Sequence, residues 1–258
     1  MRVSDLDNVI YYVRLSNLCH KAYADYAAGA ISGMAYNKIY AVCMDYAYPK
    51  WILKSEVSFM FWDNVAGVYD IFANIINRKT HEGLRTKVAE EVSKEDVVLE
   101  CACGTGLLSG VIAEKCKNLV ATDFSVKMLK KASKKHRAYT NIEFREGNIL
   151  QIEYPDGKFD VVVAANVIHL LDEPYKALAE LDRVCRIGGK IIIPTYMNKN
   201  EKGKTSGFAN TVGKAGADFK RQFTYDTYME FIKEAGYENV EYSFVEGKIP
   251  CAVAVITK

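Results

Sequence analysis

From residue 95 to the end, the chain alternates short apolar or alternating apolar/polar runs with segments in which apolar residues recur every three or four positions. Such runs predict buried strands, and their alternation with helical segments is typical of βαβ units in a parallel sheet. The predicted strands cover 97–99, 118–122, 142–146, 159–164 and 190–194, and the predicted helices cover 125–135, 174–186 and 224–236. Two further β-like runs, 239–245 and 251–256, predict a C-terminal antiparallel hairpin at the sheet edge. The pattern therefore predicts an α/β protein with a doubly wound, mostly parallel, seven-stranded sheet.

The first part of the chain has a different pattern, which is helical and rich in aromatic residues. Nine of the 17 tyrosines and both tryptophans lie within the first 69 residues. We expect residues 1–56 to form a helical extension and residues 57–258 to form the main domain, which opens with helices over 57–77 and 81–92. The extension is either a cap over a substrate or a set of helices docked on the main domain or on a second copy of the chain, as in a homodimer. The Lys-, Gly- and Asn-rich segment 197–222 predicts an insertion that faces the substrate.

The amino-acid composition and net charge limit the kinds of protein that this chain can be. Half of the 258 residues are hydrophobic, which is enough for one large α/β domain with an appendage. A net charge of +2 gives no global field for nucleic acid, and the Lys-rich stretch 127–137 is typical of a solvated helix face. The N-terminus has no signal-peptide pattern, and the densest apolar run, 161–171, is too short to cross a bilayer. We therefore expect a cytoplasmic protein that acts without nucleic acid and without membrane insertion.

The seven cysteines are scattered, with no Cys-x-x-Cys pair and no His/Cys cluster at zinc-ligand spacing. They predict free thiols in a reducing compartment and no metal site. Cys101 and Cys103 are accordingly interpreted as small residues of the strand and loop in which they lie.

The stretch 97–109 carries the most specific chemistry. An apolar strand ends at Glu100, passes through a small-residue loop that contains Gly104 and Gly106, and enters a helix. The glycines permit a tight turn that lets backbone approach a ligand, and the first N–H groups of a helix attract anionic or polar ligands. In an open parallel sheet, ligands bind beyond the carboxyl ends of the strands, where this chain also places Asp123, Asn148 and the run 165–169.

These side chains fit S-adenosylmethionine, which has an amino-acid tail, a sulfonium, a ribose and an adenine, and no phosphate. Glu100 and the glycine-loop carbonyls suit the ammonium group, and a bidentate carboxylate at Asp123 suits the ribose hydroxyls. Asn148 can pair with the adenine edge, and Met128 and Ile149 can enclose the adenine ring.

Methyl transfer from a sulfonium is chiefly a positioning problem because the methyl group is already activated, and alignment of the acceptor supplies roughly 7–11 kcal/mol. A base is needed only when the acceptor must lose a proton. His169, expected to be the only histidine beside the site, and Tyr196 are therefore the candidate catalytic residues, without a triad and without a metal.

A nicotinamide dinucleotide is the competing cofactor, and it would make the protein an oxidoreductase. Against it, Ser109 stands where the dinucleotide fingerprint requires Gly or Ala, and an acid just upstream of the loop would repel a pyrophosphate. The loop also lies about a hundred residues into the chain, behind a helical segment. A non-enzymatic module, whose aromatic N-terminal helices bind a protein partner, is the second alternative.

Residues 57–258 resemble the class I S-adenosylmethionine-dependent methyltransferases, in particular the group of ubiquinone/menaquinone-biosynthesis C-methyltransferases. The resemblance rests on the acid and glycine loop over 100–106, the stretch 122–129 with its acid, the pair Gly147-Asn148, the strand 159–163, the turn 186–190 and the upstream element 66–70. It implies a Rossmann-like methyltransferase fold, a small-molecule acceptor and S-adenosylhomocysteine as product. The cofactor-binding residues that it implies are Tyr69, Glu100, Ala102, Gly104, Gly106, Asp123, Phe124, Met128, Asn148, Ile149, Ala165 and Asn166.

Three positions depart from the motifs of that family. Glu100 and Asn148 stand where Asp is usual, so the first acid is one methylene longer and the second position is an uncharged acceptor. Ala102 stands where the first glycine of the loop is usual. We expect Ala102 to leave binding intact, provided that its φ is negative.

Overall fold

The computed structural model describes residues 77–198 and 220–258. Within these ranges, seven strands form one sheet in the order β3-β2-β1-β4-β5-β7-β6. The strands are β1 (Val97–Cys101), β2 (Asn118–Asp123), β3 (Ile142–Glu146), β4 (Phe159–Ala164), β5 (Cys185–Tyr196), β6 (Val240–Val245) and β7 (Cys251–Thr257). Strands β1 to β5 pair in parallel, and β7 pairs antiparallel with β5 and β6. The predicted fold class, with its C-terminal antiparallel hairpin, is confirmed.

Helices cover both faces of the sheet. They are α1 (Arg78–Glu90), α2 (Ser109–Ala113), α3 (Val126–Lys135), α4 (Pro174–Val184) and α5 (Tyr225–Glu234), with a 3₁₀ turn over Ile168–Leu170. One core cluster includes Leu84 of α1 and Ile112 of α2, and the other includes Leu181 of α4 and Tyr228 of α5. None of the helices in the described ranges is long and apolar enough to span a bilayer.

Local sequence signals account for several helix ends. Ser125, the predicted N-cap of α3, accepts a hydrogen bond at its hydroxyl from the Met128 N–H. Thr224 caps α5 in a reciprocal box with Thr227. Gly236 follows α5 with φ +91°, a left-handed conformation that suits glycine.

Two element boundaries differ from the prediction because of long-range contacts. The helix predicted over 174–186 ends at Val184, and β5 begins at Cys185, where it pairs with Phe159 of β4. The helix predicted over 81–92 covers Arg78–Glu90, preceded by the buried Asn77. The Asn77 side chain donates to the Ile249 carbonyl and accepts from the Ile249 N–H, so a contact 172 positions away fixes this helix start.

Several predictions fall on residues outside the described ranges. They are the helical extension 1–56, the division at residue 56/57, nearly all of the helix 57–77 and most of the insertion 197–222. The homodimer through the N-terminal helices also belongs here, and all of these stay predictions.

Candidate functional site

The strand order creates a crevice at one edge of the sheet. From β1 the chain moves outward through β2 and β3, and then returns to build β4 and β5 on the other side of β1. The order therefore reverses between β1 and β4, and ligands of open α/β sheets bind beyond the carboxyl ends of the strands at such a point. Glu100 lies near the end of β1 and Asp123 ends β2, so the fold places these two acids on neighbouring strands beside the crevice.

The loop after β1 has a left-handed backbone at three positions. Ala102, Gly104 and Gly106 have φ values of +53°, +56° and +77°. The condition on which Ala102 was expected to leave binding intact, a negative φ, is therefore not met. The neighbouring Cys103 N–H donates to the Thr122 carbonyl of β2 (2.9 Å), which fixes the turn through tertiary contact. An alanine in this conformation costs roughly 1–2 kcal/mol, so other interactions of the loop must offset that strain.

Asp123 joins the loop to the start of α3. Its Oδ2 accepts a hydrogen bond from the Gly104 N–H (2.8 Å), and its Oδ1 accepts one from the Ser125 N–H (2.8 Å). The side chain is 5% exposed. A carboxylate accepts about four hydrogen bonds, so these two backbone donors do not exhaust its capacity.

Glu100 is a buried acid, only 2% exposed, whose Oε2 accepts a hydrogen bond from the Ser109 hydroxyl (2.6 Å). Burial raises the pKa of its carboxyl to about 8, the Ser109 hydrogen bond opposes that shift, and the charge of Asp123 adds to it. Glu100 is therefore protonated at neutral pH when no cation is bound beside it. An approaching cation would favour its ionised form.

Phe124 and the three residues predicted to meet an adenine, Met128, Asn148 and Ile149, follow the ends of β2 and β3. Met128 is buried in α3, whereas Phe124 and Ile149 are half-buried. Asn148 is exposed, and its Oδ1 accepts a hydrogen bond from the Leu150 N–H (2.9 Å), so it closes a local turn. Ligand contact by these four residues stays a prediction, and Tyr69 lies outside the described ranges.

The ends of β4 and β5 bring a second group of residues together. Ala165 and Asn166 follow β4, and Asn166 has φ +54° with its N–H donating to the Pro194 carbonyl (2.7 Å). The hydroxyl of Tyr196, the last residue of β5, lies 2.7 Å from Nε2 of His81, which belongs to α1. The ring of His169 lies 6.2 Å from that of Tyr196 and is buried. Burial lowers the pKa of His169 to about 4, so its imidazole is neutral at physiological pH.

Two further histidines contact the predicted site residues, so the expectation that His169 is the only one beside the site is wrong. His81 contacts Tyr196, and Nε2 of His136 lies 2.7 Å from the Gly106 carbonyl oxygen. The glycine-loop carbonyls are therefore not all directed at a ligand. Neither histidine carries a local signal, because the contacts join residues 115 and 30 positions apart.

No candidate metal-binding cluster is present in the described part of the chain. There, no group of three or more His, Cys, Asp or Glu side chains is placed to hold a metal ion. The five cysteines of these ranges are free thiols, and all are buried.

Residues 99–193 match the family model described as a methyltransferase domain. The demethylmenaquinone methyltransferase of Renibacterium salmoninarum is 34% identical over 143 residues, which cover 55% of this chain and 59% of that protein. The ubiquinone/menaquinone biosynthesis C-methyltransferase UbiE of Bdellovibrio bacteriovorus is 31% identical over 150 residues, 56% of this chain and 64% of that protein. A phosphatidylethanolamine N-methyltransferase of Cereibacter sphaeroides is 28% identical over 60% of this chain and 81% of its own. The match with the first two spans less than two thirds of their length.

Solved structures share the fold. A possible histamine N-methyltransferase of Thermotoga maritima superposes with a TM-score of 0.60 at 17% identity, over 77% of this chain and all of that one. The [4+2]-cyclase SpnF superposes with a TM-score of 0.63 at 16% identity, over 78% and 94% of the two chains. Proteins named for different activities thus share this fold, so fold alone does not identify the reaction. The motifs, the domain model and the fold together confirm the resemblance to class I S-adenosylmethionine-dependent methyltransferases.

Proposed function

We propose that this chain transfers a methyl group from S-adenosylmethionine to a small-molecule acceptor. The observation that carries the proposal is the pair of buried acids, Glu100 and Asp123, on neighbouring strand ends that flank a left-handed glycine loop. The two acids favour a ligand with a cationic group and hydroxyls over a pyrophosphate, because a cation would ionise Glu100, whereas the carboxylate of Asp123 would repel a pyrophosphate. The match of residues 99–193 to a methyltransferase domain supports the same choice.

The residues present fit this cofactor. Glu100 would hold the ammonium group, and Asp123, fixed by the Gly104 and Ser125 N–H groups, would hold the ribose hydroxyls. Phe124, Met128, Asn148 and Ile149 would lie against the adenine, and Ala165 and Asn166 would form the β4 side of the crevice. When bound, the cofactor supplies an activated methyl group on a sulfonium. The task of the protein is then to orient the acceptor and exclude water.

The acceptor would bind near the ends of β4 and β5. The reduced, quinol form of a demethylmenaquinone-type quinone is the first candidate, because two relatives carry names of that class and the quinol ring supplies the nucleophilic carbon that a methyl transfer requires. An acceptor of this kind must lose a proton, and His169 with a pKa of about 4 is a weak base for that step at neutral pH. Tyr196, whose hydroxyl is within hydrogen-bond distance of His81, is the better candidate for contact with the departing proton.

Ligand binding tests the cofactor first. In a thermal-shift and calorimetry panel, S-adenosylhomocysteine should stabilise the full chain, whereas NAD(H) and NADP(H) should not. Glu100→Ala and Asp123→Ala should weaken that binding, while Glu90→Ala, on the exposed face of α1, should not. Stabilisation by a nicotinamide dinucleotide alone would favour the oxidoreductase, and unchanged affinity in both site variants would refute the cofactor assignment.

Turnover tests the acceptor. The full chain is incubated with S-adenosylmethionine and either reduced demethylmenaquinone or phosphatidylethanolamine vesicles, and products are detected by mass spectrometry. Methylation of the quinol is the expected result. If the phospholipid is methylated instead, the proposed methyl transfer is supported but the proposed quinone acceptor is wrong. Binding of S-adenosylhomocysteine with no methylated product in either arm would leave the quinone proposal refuted.

A further inference from the structure

His136 folds back from the end of α3 onto the glycine loop. It is the C-cap residue of that helix, and its Nε2 lies 2.7 Å from the carbonyl oxygen of Gly106. A carbonyl oxygen can only accept, so this contact is a hydrogen bond only in the tautomer or charge state that carries a hydrogen on Nε2. The bond therefore ties the end of one helix to the loop that precedes another.

Two glycines make room for the histidine ring. A Cβ on Gly106 would lie 2.8 Å from Cδ2 and Nε2 of His136, and a Cβ on Gly110 would lie 2.8 Å from Cε1. Real Cβ atoms essentially never approach so closely, so a side chain at either position would displace the ring. Gly106 also needs its positive φ, but Gly110 does not have one. The space that His136 occupies is therefore a sufficient physical reason for glycine at position 110.

The imidazole ring of His136 also packs against two aromatic side chains. It stacks on Phe144 of β3 with a centroid distance of 6.2 Å and an interplanar angle of 24°, and it lies 5.8 Å from the ring of Tyr139. The Tyr139 hydroxyl donates to Glu114 (2.6 Å), which follows α2. The half-buried imidazole thus contacts the glycine loop on one side and an aromatic ring of β3 on another.

We propose that His136 is a positioning residue that holds the glycine loop in its ligand-binding shape. The Gly106 carbonyl belongs to the peptide unit that carries the Leu107 N–H, and in a trans peptide the two groups point in opposite directions. Fixing the carbonyl therefore also fixes the orientation of the next N–H. The proposal rests on the proposed function in one respect, namely that the ligand of this loop is the cofactor.

Two substitutions separate the hydrogen bond from the packing of the ring. His136→Phe keeps an aromatic ring but removes the donor, whereas His136→Gln keeps a donor at a similar distance from the backbone but removes the ring. Tyr139→Phe is the matched control, because it removes a hydrogen bond from the same cluster without touching the loop carbonyl. The readouts are amide hydrogen exchange at Gly104 and Gly106 in the ligand-free protein, and affinity for S-adenosylhomocysteine by calorimetry.

His136→Phe should speed exchange at both glycine amides and weaken affinity by about two- to twelve-fold, the range expected for one net hydrogen bond. His136→Gln and Tyr139→Phe should stay within about twofold of the wild type. Wild-type behaviour of His136→Phe, or equal impairment of His136→Gln, overturns the proposal.

The two readouts also separate this proposal from the proposed function. If the wild type does not bind S-adenosylhomocysteine, the proposed function fails, and hydrogen exchange alone still decides the role of His136. If His136→Phe does not fold, His136→Gln is compared with His136→Ala. Equal exchange at Gly104 and Gly106 in these two variants overturns the proposal.

Discussion

Glu100→Gln tests the protonation state of the buried acid. In the wild type Glu100 is 2% exposed, and its carboxyl has a pKa of about 8, against an ordinary value of 4.5. Glutamine resembles the protonated acid in size and charge, and its carbonyl can still accept the Ser109 hydrogen bond. The variant therefore removes the titration of this group while keeping the packing of β1.

The sign of the effect follows from proton linkage. Between pH 4.5 and 8 the folded state holds a proton at Glu100 that the unfolded state has released, so stability is present at low pH and falls as pH rises. The slope is about 1.4 kcal/mol per pH unit, and the whole interval is worth at most about 5 kcal/mol.

His169 acts in the opposite direction, because its folded pKa of about 4 lies below the ordinary 6.5 and stability is lost as pH falls between these values. Of Glu100 and His169, it is therefore Glu100 whose titration changes the free energy of unfolding between pH 6.5 and 8. Its contribution over that window is a loss of about 2 kcal/mol.

Urea denaturation at pH 6.5 and pH 8, followed by far-UV circular dichroism, measures this loss. The wild type should lose about 2 kcal/mol relative to Glu100→Gln between the two conditions. Glu90→Gln, which removes an exposed carboxylate of α1, should follow the wild type. If wild type and Glu100→Gln change in parallel, Glu100 is already ionised at pH 6.5 and the reasoning from burial is refuted.

Three further predictions concern the loop after β1 and the two elements that it joins, β1 and α2. Both Ala102 and Gly104 have a left-handed backbone, which glycine adopts more easily than alanine. In urea denaturation, Ala102→Gly should therefore raise the free energy of unfolding by about 1 kcal/mol, and Gly104→Ala should lower it by about the same amount. Changes of the same sign in the two variants would contradict this. Gly110→Ala should lower the thermal stability of the wild type, because the added Cβ would clash with the His136 ring. In a His136→Ala background, which lacks the ring, the same substitution should not lower it. If the effects of the two substitutions are additive, this clash is excluded. At pH 7, calorimetry in buffers of different ionisation enthalpy should show S-adenosylhomocysteine releasing about 0.9 more protons from the wild type than from Glu100→Gln, and equal release would mean that Glu100 does not ionise on binding.

The fold was predictable because each apolar or alternating run is bounded by a helical segment or by turn residues. The run predicted over 142–146 is β3, and the one over 159–164 is β4, with the same bounds. The positions of Glu100 and Asp123 at neighbouring strand ends follow from that alternation, since parallel strands bring their carboxyl ends to one edge.

Contacts between distant residues were not predictable in the same way. His136 and Gly106 meet only because α3 packs beside the loop after β1, and no periodic pattern encodes that meeting. The left-handed conformation of Ala102 could not be predicted for a related reason. Local preference favours a negative φ for alanine, but the hydrogen bonds from Cys103 to Thr122 and from Gly104 to Asp123 override it.

The distribution of backbone strain connects the loop with the other side of the crevice. Among the described residues, Ala102 and Asn166 are the non-glycine positions with positive φ. One follows β1 and the other follows β4, the two strands between which the order reverses. Strained positions of this kind cost roughly 1–3 kcal/mol each and persist where the surrounding structure holds them, commonly at ligand sites. Because the two residues flank one crevice rather than lying on scattered turns, the strain follows the edge where a ligand would contact backbone, which is independent support for placing the site there.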